Sequence, residues 1–205
     1  MPRSFQFLKP QAMRNAVENQ VFGRAINEEE YGDLIGDITG NTSGTIDFNV
    51  FSAGLNKSVA ILIRSQNAIF NTTVRLDPNE FHYSDIRVHV TGQGTGLAIF
   101  RLLAATAQQF QFPRIYAVGE KRVSANPLLA EWGYYVYPRY GFDGPIPAAI
   151  IPTLVQPYAA MTQMSQIMAT APGRAEWKQK GNTVKGLEFD LTPNSPCWQT
   201  LNALP

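Results

Sequence analysis

The sequence predicts an α+β fold: a mixed, mostly antiparallel sheet flanked by helices on both faces. Three observations carry that expectation. Between residues 45 and 90 apolar residues alternate with polar ones, as half-buried strands require. The connections within that block are far too short for helical crossovers, so neighbouring strands must run antiparallel. On either side of it, apolar residues recur at helical spacing.

Taken in order, "KPQAMRNAVENQVFGRA" starts a helix after Pro10, with Ala12, Met13, Ala16, Val17 and Val21 forming an apolar stripe. "NEEEYGDLIGDITG" gives a second short helix, with Asn27 as N-cap and three glutamates suiting the positive end of the dipole. "GNTSG" then breaks the chain. "TIDFNVFSA" alternates Ile46, Phe48 and Val50 against polar partners and reads as a strand. "SVAILIRSQNAIFNTTVRLD" gives two more, meeting around "SQNA", and "FHYSDIRVHV" a further one.

A helix over about Leu97 to Phe110 and the short buried strand "PRIYAVGE" would complete a βαβ step. "ANPLLAEWGYYVYPRYGFDG" reads as a short helix followed by an aromatic strand. The proline-rich stretch from 146 reads as a loop leading into a buried helix. "GLEFDLTP" is a strand, and Ser195-Pro196 opens a last helix.

Composition bounds the function. Charged residues make up 16%, against about 25% in ordinary domains. With a net charge of +1 and no basic stripe, there is no electrostatic case for nucleic acid. One cysteine, Cys197, excludes an internal disulfide and a cysteine-rich metal site. Two ill-spaced histidines, His82 and His89, make no case for zinc. The first residues lack the apolar core of a signal peptide, and prolines and glutamines interrupt the most apolar stretch. The expectation is a soluble, cytoplasmic protein without membrane contact.

The chemistry-bearing stretch is "VHVTGQGTGLAIFRLLAATAQQF", residues 88–110. Gly92, Gly94 and Gly96 stand between a strand and a helix, where missing side chains let a backbone close on an anion at the helix start. No Lys-Ser or Lys-Thr follows, which excludes a P-loop. Gly92 and Gly94 match a dinucleotide fingerprint, but Leu97 stands where its third glycine belongs, with Glu120 as the ribose-binding acid of that reading.

Gly94-Thr95-Gly96 between a strand and a helix resembles the coenzyme A loop of the GNAT-type N-acetyltransferase superfamily, Gln/Arg-x-x-Gly-x-Gly/Ala, with Thr91 where Gln or Arg is usual. Tyr137-Pro138-Arg139-Tyr140-Gly141-Phe142 is similar to a second element, Tyr-x-Lys/Arg-x-Gly-Phe. The resemblance implies an acyl-CoA N-acyltransferase-like domain over residues 1–145, with 146–205 a C-terminal extension packed on it. It implies that backbone N–H groups of Gln93, Gly94, Thr95, Gly96, Leu97 and Ala98 hold the pyrophosphate of acetyl-CoA or another acyl-CoA, and that Asn126 touches its pantetheine arm. The acyl group would pass to a small-molecule or peptide amine by direct attack.

That transfer needs a proton taken from the amine and one given to the thiolate. Tyr137 is the candidate acid; a phenol near pKa ~10 facing a thiol near ~8.5 must be lowered by its site to donate downhill. His89, which titrates near neutrality, is the candidate base, on a strand face expected to be shared with Tyr83, Asp85 and Arg87. His82 falls on the opposite face. There is no G-x-S-x-G, and Cys197 lies outside the motifs, so nothing supports a Ser or Cys nucleophile. A non-catalytic protein of the same fold and a dinucleotide-binding oxidoreductase are the alternatives.

Overall fold

The structure is a computed structural model that describes residues 4–34, 43–53, 56–65, 68–76, 79–88, 95–122 and 131–205 of the chain. It is an α+β protein divided into two compact units, Met1–Ile115 and Tyr116–Pro205.

The first unit runs β1 (Ser4–Phe7), α1 (Gln11–Phe22), α2 (Glu28–Leu34), β2 (Ser43–Ala53), β3 (Asn56–Ser65), β4 (Ala68–Leu76), β5 (Asn79–Val88) and α3 (Thr95–Gln109). Strand order follows chain order. β2 to β5 form the expected antiparallel meander, and β1 lies parallel to β2, with Phe5 opposite Gly44 and Phe7 opposite Ile46. The register sets Ile46 against Ile63 and Phe48 against Ile61, and all four are buried. Val50 departs from the predicted alternation and is 46% exposed, although its partner Val59 is buried.

Rings of the helical segments gather over the face that carries Phe48. Tyr31 of α2 lies 6.1 Å from Phe48 and 6.5 Å from Phe22 of α1. Phe22 in turn lies 4.6 Å from Phe110, just past α3. α2 is capped as the sequence predicts: the Asn27 side chain accepts from the Glu30 N–H, and the Glu30 carboxylate accepts from the Asn27 N–H, both at 2.9 Å.

The stripe of α1 is rotated from its predicted position. Ala12 and Ala16 are exposed, while Val17, Glu18, Val21 and Phe22 are buried. Glu18 tolerates burial because its carboxylate is saturated: it accepts from Tyr31 Oη (2.8 Å), Arg14 Nε (2.6 Å) and the Ile26 N–H (3.4 Å). Arg14 also caps the Ile26 carbonyl at 2.9 Å, and its guanidinium sits 3.6 Å from the Phe7 ring centre. One buried ion pair therefore fastens β1, α1 and α2 together.

The second unit contains β6 (Arg114–Gly119, whose first two residues close the first unit), β7 (Lys121–Arg122), β8 (Glu131–Trp132), α4 (Gly133–Arg139), α5 (Met164–Met168), α6 (Ala171–Lys180), β9 (Val184–Asp190) and α7 (Pro196–Asn202). β6 and β9 are sheet neighbours, and β7 pairs antiparallel with β8. α5 fulfils the predicted buried helix, with Met164, Ile167 and Met168 inside. α7 starts at Pro196 as expected.

"GYYVYPR" is a helix, not the predicted aromatic strand. Pro138 lies within it and, lacking an N–H, leaves the Tyr134 carbonyl one turn back without its helical donor. The buried Trp177 of α6 supplies the missing donor: its Nε1 reaches that carbonyl at 2.9 Å. Tyr134 Oη donates to the Lys178 carbonyl at 2.8 Å, and Lys121 Nζ lies 4.9 Å from the Tyr134 ring centre. A residue 43 positions away in the chain thus satisfies the carbonyl that the proline leaves open. The same α6 was not read from the sequence.

Candidate functional site

β5 ends at Val88 and α3 begins at Thr95, so a strand and a helix flank the stretch that holds Gly92 and Gly94. Thr95, Gly96, Leu97 and Ala98 form the first turn of a fifteen-residue helix that carries no acidic residue there. N–H groups of a first turn lack intrahelical acceptors, and the dipole adds roughly half a positive charge, so this end favours an anion. Gly96 is exposed, Leu97 is buried and Ala98 is half-buried. The apolar flank therefore anchors the turn while Gly96 opens it to solvent. Gln93, Gly94, His89 and Asn126, with Thr91 and Gly92, lie outside the described residues.

β5 carries an irregularity upstream of the turn. Its register pairs Tyr83 with Thr72 but Asp85 with Asn71, leaving residue 84 as the extra one of a bulge. The period-two alternation that would group Tyr83 with Asp85 and Arg87 is broken there. Of the expected face, Asp85 and Arg87 stay in one register and Tyr83 falls out of it, while His89 lies outside the described residues. The same bulge corrects the expectation for His82: it stands opposite Thr73, two residues from the Asn71 that faces Asp85, so it shares their register face instead of lying opposite to it, and it is half-buried.

Tyr137 lies in α4 of the second unit, half-buried, with its ring centre 5.4 Å from that of Phe142. Most of the motif around it has a structural explanation. Gly141 adopts φ +104°, and a Cβ there would stand 2.5 Å from the Cys197 carbonyl oxygen, so no other residue fits. Phe142 is 1% exposed and packs on Phe189 at 5.5 Å. Tyr134 is committed to Lys178, and burial raises its phenol above the ordinary value; burial does the same to Tyr140. Beneath Tyr137, Gly133 lets the chain fold closely, since a Cβ on it would meet Tyr137 Cε2 and the Glu120 N–H, both at 3.1 Å.

Cys197 is buried, and burial raises its thiol above the ordinary range, so it is not a poised nucleophile. Among the described residues no group of three or more His, Cys, Asp or Glu could hold a metal ion, and no helix is long and apolar enough to cross a membrane. The Glu18–Arg14–Tyr31 cluster was missed from sequence. Its signal was an acid adjoining Val17 on the apolar stripe with an arginine four residues before it. Compared with protein-family models, curated proteins and solved structures, the chain matches none.

Proposed function

We propose that the protein is an acyltransferase of the GNAT type, with helices on both faces of its sheet, moving an acetyl or other acyl group from acyl-CoA to an amine. The observation that supports it is the passage from a bulged β5 through three glycines into an acid-free helix start. In this reading the N–H groups of residues 93–98 hold the pyrophosphate, and Asn126 contacts the pantetheine arm. His89 accepts the amine proton, and Tyr137 returns one to the departing thiolate.

Each assignment has its own measurement. Titration calorimetry with coenzyme A should show binding that Gly94→Val removes. Binding of NADH and not of coenzyme A would favour the dinucleotide reading instead. Tyr137→Phe should lower thiol release against an amine panel by about a hundredfold or more while coenzyme A affinity stays unchanged. Equal turnover in wild type and variant would end the acid role of Tyr137. Binding of coenzyme A without thiol release would leave a non-catalytic binder.

A further inference from the structure

Between Pro147 and Met161 the chain runs fifteen residues without a charge, and of these Leu154 alone is buried. The segment leaves and re-enters the fold at one place. Its neck is closed by a bridge between Pro145 and Gln163 and by the Ile146 N–H on the Thr162 carbonyl (2.9 Å). Two 3-10 turns, Ile151–Thr153 and Tyr158–Ala160, shape what lies between. Backbone bonds close within the segment: the Ile150 N–H on the Pro147 carbonyl at 2.8 Å, Ala159 on Val155 at 3.2 Å, and Met161 on Tyr158 at 3.0 Å. A stretch of this length with joined ends and its own bonding is an Ω-loop.

Two bonds from α6 hold the middle of the loop, one on each side of Leu154. Lys180 Nζ donates to the Thr153 carbonyl at 2.8 Å, and Glu176 accepts from the Val155 N–H at 3.0 Å. The two side chains also pair with each other at 2.9 Å, one helical turn apart. The Val155 N–H, and then Lys180, hold the Glu176 carboxyl below its ordinary value, so it stays ionised and accepting at neutral pH. One ion pair thus brackets the one side chain that seats the loop. Against it stands the entropy of fifteen ordered residues. A segment with so few buried apolar groups belongs to the low end of local stability.

We infer that residues 147–161 form a strap that opens as one piece while the rest of the second unit stays folded, with Leu154 as its plug and Glu176–Lys180 as its clasp. The neck is the hinge, because its bonds lie outside the strap and survive the opening. Leu154 leaves with the clasp bonds, since Thr153 and Val155, its two chain neighbours, carry both of them. What opens is an apolar seat flanked by a carboxylate and an ammonium, both of which the closed strap engages. Strap opening requires nothing of the acyl-transfer reading.

Native-state hydrogen exchange of the full chain, followed by NMR, reads the opening directly. The amides of Thr153, Leu154, Val155 and Ala159 should share one protection factor, at least about tenfold below that of a core strand. The reference is the Glu188 amide of β9, bonded to the Asp143 carbonyl at 2.8 Å. Glu176→Ala should lower the shared factor by about tenfold more and leave Glu188 unchanged. Glu176→Gln keeps an acceptor oxygen and should lower it less. Strap amides as protected as Glu188 in the wild type overturn the inference, since opening would then need the whole unit to unfold. Protection that differs from residue to residue, or that Glu176→Ala leaves unaltered, overturns it as well.

Discussion

Replacing Glu18 with leucine is expected to destabilise the first unit by about 3–5 kcal/mol, read from urea denaturation followed by circular dichroism. The side chain is 1% exposed and accepts three hydrogen bonds, so its loss takes the acceptor from three donors at once. Tyr31 is fully buried, and burial together with the Glu18 carboxylate raises its phenol far above the ordinary value. It stays protonated and donating at any physiological pH, and without Glu18 its hydroxyl has lost the acceptor shown for it. Arg14 would keep the Ile26 carbonyl and the Phe7 ring but lose its counter-charge. Glu18→Gln retains an acceptor of the same shape and should cost less than leucine. A leucine variant within 1 kcal/mol of wild type would mean that packing, not the ion pair, joins α1 to α2.

Trp177→Ala should cost the second unit a comparable ~3–5 kcal/mol, the range for truncating a large buried aromatic. Two effects combine. The ring is 0% exposed, so its removal opens a cavity beneath α6, and the Tyr134 carbonyl loses its donor across the Pro138 gap. Trp177→Phe separates them, since it keeps most of the volume and removes only the N–H; it should cost about 1–3 kcal/mol. Pro138→Ala on the phenylalanine background gives the helix its own donor and should recover part of that loss. No recovery would show that the indole N–H is not substituting for the missing backbone donor.

The meander was legible because each of its strands satisfies a local rule. Ile46 and Phe48 alternate with polar neighbours, and close turns leave only antiparallel pairing. The same locality made α2 readable from Asn27 and Glu30, and α3 from its apolar spacing. What escaped depends on distant residues. β1 offers only Ser4 to Phe7, and its pairing lies across two helices on β2. α4 looked like a strand because its run is rich in tyrosine, and the donor that completes a helix there across Pro138 is Trp177. α6 itself was marked by Thr170 before Pro172 and by Lys178 and Lys180 before Gly181, signals that an earlier proline-rich run obscured. Of the candidate site, the head of α3 was readable and the alternation on β5 was not, because a bulge leaves no mark in residue type.

Cys197 gives the molecule a built-in chemical clock. It is the chain's one thiol, 8% exposed and held protonated by its surroundings, so an alkylating reagent meets almost no thiolate while Tyr116–Pro205 stays closed. Once that portion opens, the sulfur becomes an ordinary solvated thiol, and the pace of its modification reports how often opening occurs. The stability of one half of the chain can thus be followed in whole protein, at a single natural atom, without introducing a dye or a tag.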